Sequence, residues 1–208
     1  MQTELQPKKT GTTTVGLITK DAVILAAETK ATMGYLVATR QAKKILQLED
    51  HIAMTIAGLE GDGQALARYV RAELKLYRLR EERRASVEAA ANLIANILYA
   101  RRFYPYFVQL LVGGYDDQPR LYSFDPTGSL QEEKKYFSTG SGSPIALGVL
   151  EDRYKPKMTL EDGKKLAVQA IKAAIRRDIA SGAAINLAVI DEKGFKEIPS
   201  EEVKRLLK

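Results

Sequence analysis

A polar leader, Met1 to Gly11, meets the run Lys9-Thr10-Gly11-Thr12-Thr13-Thr14-Val15-Gly16 near the amino terminus. If the Gly11–Thr12 bond is cut, Thr12 gains a free α-amine beside its own hydroxyl. Nucleophile and general base then sit on one residue, which is one route to an activated threonine. An α-amine has an ordinary pKa of about 7.7–8.0, so a useful fraction is neutral near pH 7. The same run also suits an ordinary strand, because Thr is β-branched and fits a pleated surface. Both readings stand on these residues alone.

Few other chemistries are open to the chain. It has no cysteine, which removes disulfides, thiolate metal sites and cysteine nucleophiles together. It has one histidine, His51, and neither a His-rich zinc spacing nor a Gly-x-Ser-x-Gly elbow. His51 follows Glu49-Asp50 and reads as a solvated turn residue. Any hydrolase here must therefore work without histidine, and no metal or other cofactor is expected. Gly140-Ser141-Gly142-Ser143 ahead of a helix could form an anion-binding turn, but it carries no Walker lysine.

The net charge of +6 and pI near 9.3 raise the question of nucleic acid. Most basic residues are interleaved with acids, as in Arg80-Glu81-Glu82-Arg83-Arg84, which describes a salt-bridge-laced surface of thermophile type. Aromatic platforms alternating with Arg or Lys are missing, apart from Arg101-Arg102-Phe103-Tyr104. No apolar run approaches the roughly eighteen residues of a membrane span, and the leader lacks a secretory apolar core. A cytoplasmic protein with neither a nucleic-acid nor a membrane partner is expected.

The elements that must position Thr12 follow in order. Thr13–Thr19 alternates with period two, as a half-buried strand, and a tight Lys20-Asp21 link returns it as Ala22–Glu28. Gly34 marks a loop; Lys43–Leu48 and Ile52–Ala57 are short strands; Gly58 to Gly63 opens a helix. That helix places Leu66, Val70, Leu74 and Tyr77 on one face and Arg68, Arg71, Lys75 and Arg78 on the other. Ser86 caps a second helix to about Tyr99, with Ala90, Ile94 and Ile97 inward. Phe107–Val112 is an apolar strand ended by Gly113-Gly114, followed by strands at Arg120–Phe124 and Tyr136–Thr139. A helix with Pro144 in its first turn covers Ile145–Arg153. Thr159-Leu160-Glu161-Asp162 starts the longest helix, Leu160 to Ala180, with Val168, Ile171, Ile175 and Ile179 inward. A hairpin, Ile185–Ile190 with Gly194–Ile198, and a terminal helix, Ser200–Lys208, complete a single domain. Two antiparallel sheets packed face to face, with a helix pair outside each, would bury all these faces: an α+β, four-layer αββα sandwich.

Taken together the chain resembles an archaeal-type proteasome β subunit over essentially its whole length. Gly11 to Gly16, Ala26-Ala27-Glu28, Ala42-Lys43-Lys44-Ile45 and Ala57-Gly58-Leu59-Glu60-Gly61-Asp62 carry the resemblance in the first half. Leu111-Val112-Gly113-Gly114-Tyr115, Thr139 to Ser143 and Arg177-Asp178-Ile179-Ala180-Ser181-Gly182 carry it in the second. The resemblance implies the N-terminal-nucleophile hydrolase fold and a threonine endopeptidase. Residues 1–11 would be a propeptide removed autocatalytically at Gly11–Thr12, leaving 12–208 as the catalytic domain. Thr12 would be the nucleophile, Lys44 the active-site lysine, Glu28 its acidic partner and Gly58 the oxyanion-hole N–H. Ser141, Asp178 and Ser181 would hydrogen-bond around the terminal amine.

The resemblance further places Ile56, Ala31, Ala42 and Leu46 in the specificity pocket, with Glu60 at its rim, so cleavage after hydrophobic residues is expected. It leaves Lys43 solvent-facing. It implies homo-heptameric β rings stacked in pairs, capped by α subunits, with an unfolding ATPase outside and unfolded polypeptide as substrate. Ile179, Ala183-Ala184 and Asn186 depart from the family's pattern and bear on the placement of Ser181. The alternative is a non-catalytic structural ring subunit of the same fold.

Overall fold

The computed structural model describes residues 11–207; Met1–Thr10, most of the expected propeptide, lie outside the described residues. The strands form two five-stranded antiparallel sheets and one separate hairpin. The first sheet takes β1 (Thr14–Ile18), β2 (Val23–Glu28), β10 (Tyr136–Thr139), β11 (Ile185–Asp191) and β12 (Gly194–Glu197), ordered β10-β1-β2-β11-β12. The second orders β5 (Ile45–Glu49), β6 (Ile52–Gly58), β7 (Val108–Tyr115), β8 (Pro119–Phe124) and β9 (Leu130–Glu133) consecutively. The hairpin pairs β3 (Ala31–Met33) with β4 (Leu36–Thr39).

Three apolar layers hold this together. Val23, Leu25, Ala27, Ala53, Leu111, Leu121, Ala188 and Ile190 lie between the sheets. Helices α1 (Glu60–Glu81) and α2 (Val87–Ala100) cover the second sheet through Leu66, Val70, Ile94 and Leu98. Helices α3 (Ser143–Arg153) and α4 (Leu160–Arg177) cover the first through Ala146, Leu150, Val168 and Ile171, and the short α5 (Ser200–Leu206) adds Val203. The expected αββα sandwich is the observed architecture. Ser86 caps α2 by accepting the Ala89 N–H, and Thr159 caps α4 by accepting the Asp162 N–H, the interactions their residue types favour.

Several local expectations are corrected. β1 is buried on both faces: Val15 and Leu17 pack toward α3 and α4, while Thr14 faces the second sheet and bonds Thr55. Each buried Leu or Val of this kind contributes about 1.5–3 kcal/mol of stability. β7 runs through Gly113-Gly114 and does not end there. A Cβ on Gly113 would fall 2.7 Å from Val23, and one on Gly114 would fall 2.6 Å from Val87, so these glycines permit close layers and do not mark a turn. The loop at Gly34 is the tip of the β3–β4 hairpin, and β9 is an additional strand. Helix α4 stops at Arg177, and Ile179 is 89% exposed, not inward. His51 is 6% exposed, not solvated; its Nε2 lies 2.9 Å from the Ala85 carbonyl oxygen.

Candidate active site

Thr12 sits two residues before β1, where both sheets and the loops leading to α3 and leaving α4 converge. β2 ends at Glu28, β6 ends at Gly58, and Lys44 immediately precedes β5. Pairing fixes these ends in space: the Glu28 N–H donates to the Thr13 carbonyl, and the Ile56 N–H donates to the Lys44 carbonyl at 2.9 Å. Residues far apart in the chain therefore meet at one end of the sandwich.

The lysine is the centre of the first cluster. Lys44 Nζ donates to Thr12 Oγ1 at 3.0 Å, to the Lys30 carbonyl at 2.6 Å and to Glu28 Oε1. An ammonium has three protons to give, and all three have acceptors. Glu28 is wholly buried, and its other oxygen accepts the Lys30 N–H at 2.7 Å and the Gly182 N–H at 3.0 Å. Burial pushes the Lys44 pKa below its ordinary value, against the pull of Glu28 toward the charged form. The threonine hydroxyl, which accepts from the lysine, in turn donates to the Gly11 carbonyl at 2.7 Å.

The second cluster lies on the nitrogen side of Thr12. The Thr12 N–H donates to Ser141 Oγ at 3.2 Å, and Ser141 Oγ donates to Asp178 Oδ2 at 2.6 Å. Ser181 Oγ donates to the same carboxylate oxygen at 2.6 Å and lies 2.6 Å from Thr13 Oγ1. Asp178 is the C-cap of α4, so the end of that helix sets the carboxylate. The departures at Ile179 and Ala183-Ala184 do not separate Ser181 from it. Thr12 thus has a cation on its oxygen and a hydroxyl–carboxylate relay on its nitrogen.

A cavity of about 250 Å³ opens beside Thr12, lined mainly by apolar atoms. Ile56, Ala31, Gly58 and Glu60 line it, together with Met33 and Ala38 of the β3–β4 hairpin. Ala42 and Leu46 are not among its lining residues; Leu46 packs in the layer beneath α1. Lys43 also borders it and is ion-paired with Glu197 at 2.5 Å. The sequence reading did not include Lys30, Thr13, Met33 or Ala38. The alternation of β1 could have directed attention to Thr13, whereas the hairpin residues carry no local signal.

Gly58 has φ +119°, and a Cβ there would fall 2.1 Å from the Phe107 carbonyl oxygen. Only glycine fits this backbone. Gly58→Ala is expected to lower stability by at least about 1–3 kcal/mol, the usual cost of a backbone forced into a sparsely populated region. Denaturant unfolding of the variant measures this, and an unchanged midpoint would show that the strand end relaxes.

The site geometry meets a clear family record. A family model described as "proteasome subunit" matches residues 8–190. The chain is 53% identical over 198 residues to the proteasome subunit beta of Archaeoglobus profundus, covering 95% of this chain and 92% of that one. It is 50% identical to the proteasome subunit beta of Methanocaldococcus vulcanius, covering 95% and 89%. It is 48% identical to that of Methanoregula boonei over 208 residues, covering 100% and 98%. This chain belongs to the proteasome subunit family. Within it, the similarity is to archaeal β subunits. The two-sheet sandwich matches the N-terminal-nucleophile hydrolase fold, and membership of the proteasome family places the chain in that hydrolase superfamily. Among the described residues no helix is long and apolar enough to cross a membrane.

Proposed function

We propose that this proteasome β-type chain is a threonine endopeptidase whose nucleophile is Thr12. The observation that carries the reading is the Lys44 Nζ to Thr12 Oγ1 hydrogen bond, inside a buried ion pair, with a hydroxyl–carboxylate relay on the threonine nitrogen. An ammonium donating to the hydroxyl oxygen favours its alkoxide character.

In the uncut chain Thr12 Oγ1 adds to the Gly11 carbonyl carbon. The Gly11–Thr12 C–N bond breaks, the departing nitrogen takes up the proton that the hydroxyl gives up, and an ester joins Gly11 to Thr12 Oγ1. Water hydrolyses that ester, releasing the segment 1–11 and a free Thr12 amine. A Cβ at position 11 would fall 1.8 Å from the Ala180 Cβ and 2.6 Å from Ser141 Oγ, which supports a glycine before the cut. The mature domain, 12–208, repeats the chemistry on substrate. Thr12 Oγ1 attacks a peptide carbonyl, its amine takes the proton and passes it to the leaving amine, and water hydrolyses the acyl ester. The Gly58 N–H would stabilise the oxyanion, a contribution of roughly 3–4 kcal/mol for a preorganised donor.

The apolar cavity with Ile56, Ala31 and Met33 supports cleavage after hydrophobic residues, with Glu60 at its edge. Cytoplasmic assembly as homo-heptameric rings stacked in pairs with α subunits, fed with unfolded polypeptide by an ATPase, belongs to the same proposal. Intact-mass measurement after assembly with an α subunit tests it. Loss of the Met1–Gly11 mass together with peptidase activity is the expected result. An unchanged mass in a fully assembled, inactive particle would favour a structural ring subunit.

A further inference from the structure

The loop between α2 and β7 holds Arg101-Arg102-Phe103-Tyr104, a run of arginines followed by aromatics, and neither the core nor the catalytic clusters use those four residues. Phe103 is 77% and Tyr104 is 88% exposed, although burying either ring would ordinarily be favourable. The loop is nonetheless ordered internally. The Arg102 guanidinium lies 4.3 Å from the Tyr99 ring centroid and 4.5 Å from that of Phe103, and Arg101 lies 4.9 Å from that of Tyr106. Arg102 Nη1 also donates to the Tyr99 carbonyl at 3.1 Å, and the Tyr104 N–H donates to the Arg101 carbonyl at 2.8 Å. Cation–π contacts of this kind hold exposed rings in fixed positions.

The loop that carries the patch ends beside the candidate active site. At the end of the loop the Phe107 carbonyl accepts the Leu59 N–H at 2.8 Å, one residue beyond Gly58. The Phe107 N–H donates to Asp62 Oδ2 at 2.9 Å, in the first turn of α1. A polypeptide whose scissile carbonyl points at the Gly58 N–H therefore lies beside the segment that carries these rings. An extended chain gains about 3.3–3.6 Å per residue, so a few residues beyond the cut bring it onto the loop, whereas a very short peptide ends sooner.

We propose that the arginine–aromatic loop, residues 101–107 with Tyr99, is an accessory surface that captures unfolded polypeptide alongside the catalytic site. The inference rests on the endopeptidase reading above. Tyrosine and arginine are the side chains that most often carry binding energy at protein surfaces, because they combine large apolar area with a polar end. An unfolded chain offers aliphatic and aromatic side chains to the ring edges and carboxylates to the guanidiniums. Single-stranded nucleic acid fits less well. Its bases need free ring faces to stack on, and Tyr99, Phe103 and Tyr106 each have a face occupied by the protein's own arginine.

The test uses the assembled particle with Phe103→Ser and Tyr104→Ser combined, two exposed positions outside both catalytic clusters. Cleavage of a permanently unfolded protein and of a blocked tripeptide ending in an apolar residue is compared. KM for the unfolded protein should rise about tenfold, which corresponds to about 1.4 kcal/mol of capture lost across the two exposed anchors together. The kcat for that protein and both constants for the tripeptide should stay unchanged. Equal losses on both substrates would mean that the loop acts only by supporting Gly58, and unchanged KM values would mean that it captures nothing. Failure of the variant to assemble would assign the patch to a subunit contact. A polyuridine oligonucleotide that binds the wild type and not the variant, with protein KM unaffected, would assign it to nucleic acid. Each of these four results overturns the proposal. A wild-type particle that cleaves neither substrate would instead refute the endopeptidase reading itself.

Discussion

Lys44→Ala is expected to lower peptidase activity by about 10²–10³-fold, the usual effect of removing one preorganised donor, and to destabilise the fold by about 3–5 kcal/mol. The stability loss does not come chiefly from the contacts of the lysine. Glu28 is wholly buried, and without Lys44 its Oε1 loses its cation while only Oε2 keeps the Lys30 and Gly182 N–H donors. An uncompensated buried carboxylate is costly, whereas removing both charges is often nearly neutral. The double variant Lys44→Ala, Glu28→Gln should therefore regain most of the lost stability and none of the activity. Urea unfolding and single-turnover peptide cleavage separate the two effects. If Lys44→Ala kept a tenth or more of wild-type activity, the lysine would have no direct part in the chemistry. If the double variant unfolded as readily as the single one, the stability argument would fail.

That ion pair also shows how far local sequence reaches. Its partners end one strand and precede another, and both strands were legible locally, 22–28 as the apolar return of a hairpin and 43–48 as a short strand. The convergence of those strand ends was not, because it depends on the order β10-β1-β2-β11-β12 in one sheet and β5 to β9 in the other. The motifs at Thr12, Lys44 and Gly58 supplied what periodicity could not.

Where periodicity was followed alone, it overran. The series Val168, Ile171, Ile175 and Ile179, at spacings of three and four, extends past Arg177, yet the helix stops there with Asp178 as its cap. The carboxylate of that cap is engaged by Ser141 and Ser181, and the chain beyond leaves the helix direction, putting Ile179 into solvent. His51 failed as an expectation for a different reason. Its neighbours Glu49 and Asp50 are polar, but its ring is buried against the carbonyl of Ala85, a contact separated by 34 residues. The β3–β4 hairpin escaped notice because Met33, Leu36 and Val37 are all exposed, so no alternation marks its strands. Yet the hairpin supplies Met33 and Ala38 to the cavity beside Thr12. The specificity side of the site is consequently the part least legible in the sequence.

Thr12→Ala is expected to give a folded chain that retains residues 1–11 and has no measurable peptidase activity. The fold should survive because the hydroxyl is only one of three acceptors around Lys44 Nζ. Glu28 Oε1 and the Lys30 carbonyl remain, so the ammonium stays paired. The lost hydrogen bonds should cost about 1–2 kcal/mol, well below the effect of removing the lysine. Chemistry should stop entirely, because the same oxygen is required to open the Gly11 carbonyl and to attack substrate. Thr12→Ser retains that oxygen and should still release the leader, but more slowly. Without the γ-methyl its χ1 is freer, and fewer of its conformers hold Oγ between Lys44 and the Gly11 carbonyl. Intact mass and peptide hydrolysis, read together on assembled particles, distinguish the cases. Cleavage at position 11 or recovered peptidase activity in Thr12→Ala would remove Thr12 from the mechanism. A structural subunit predicts something else again: wild type and both variants would each keep its full uncut mass and show no activity.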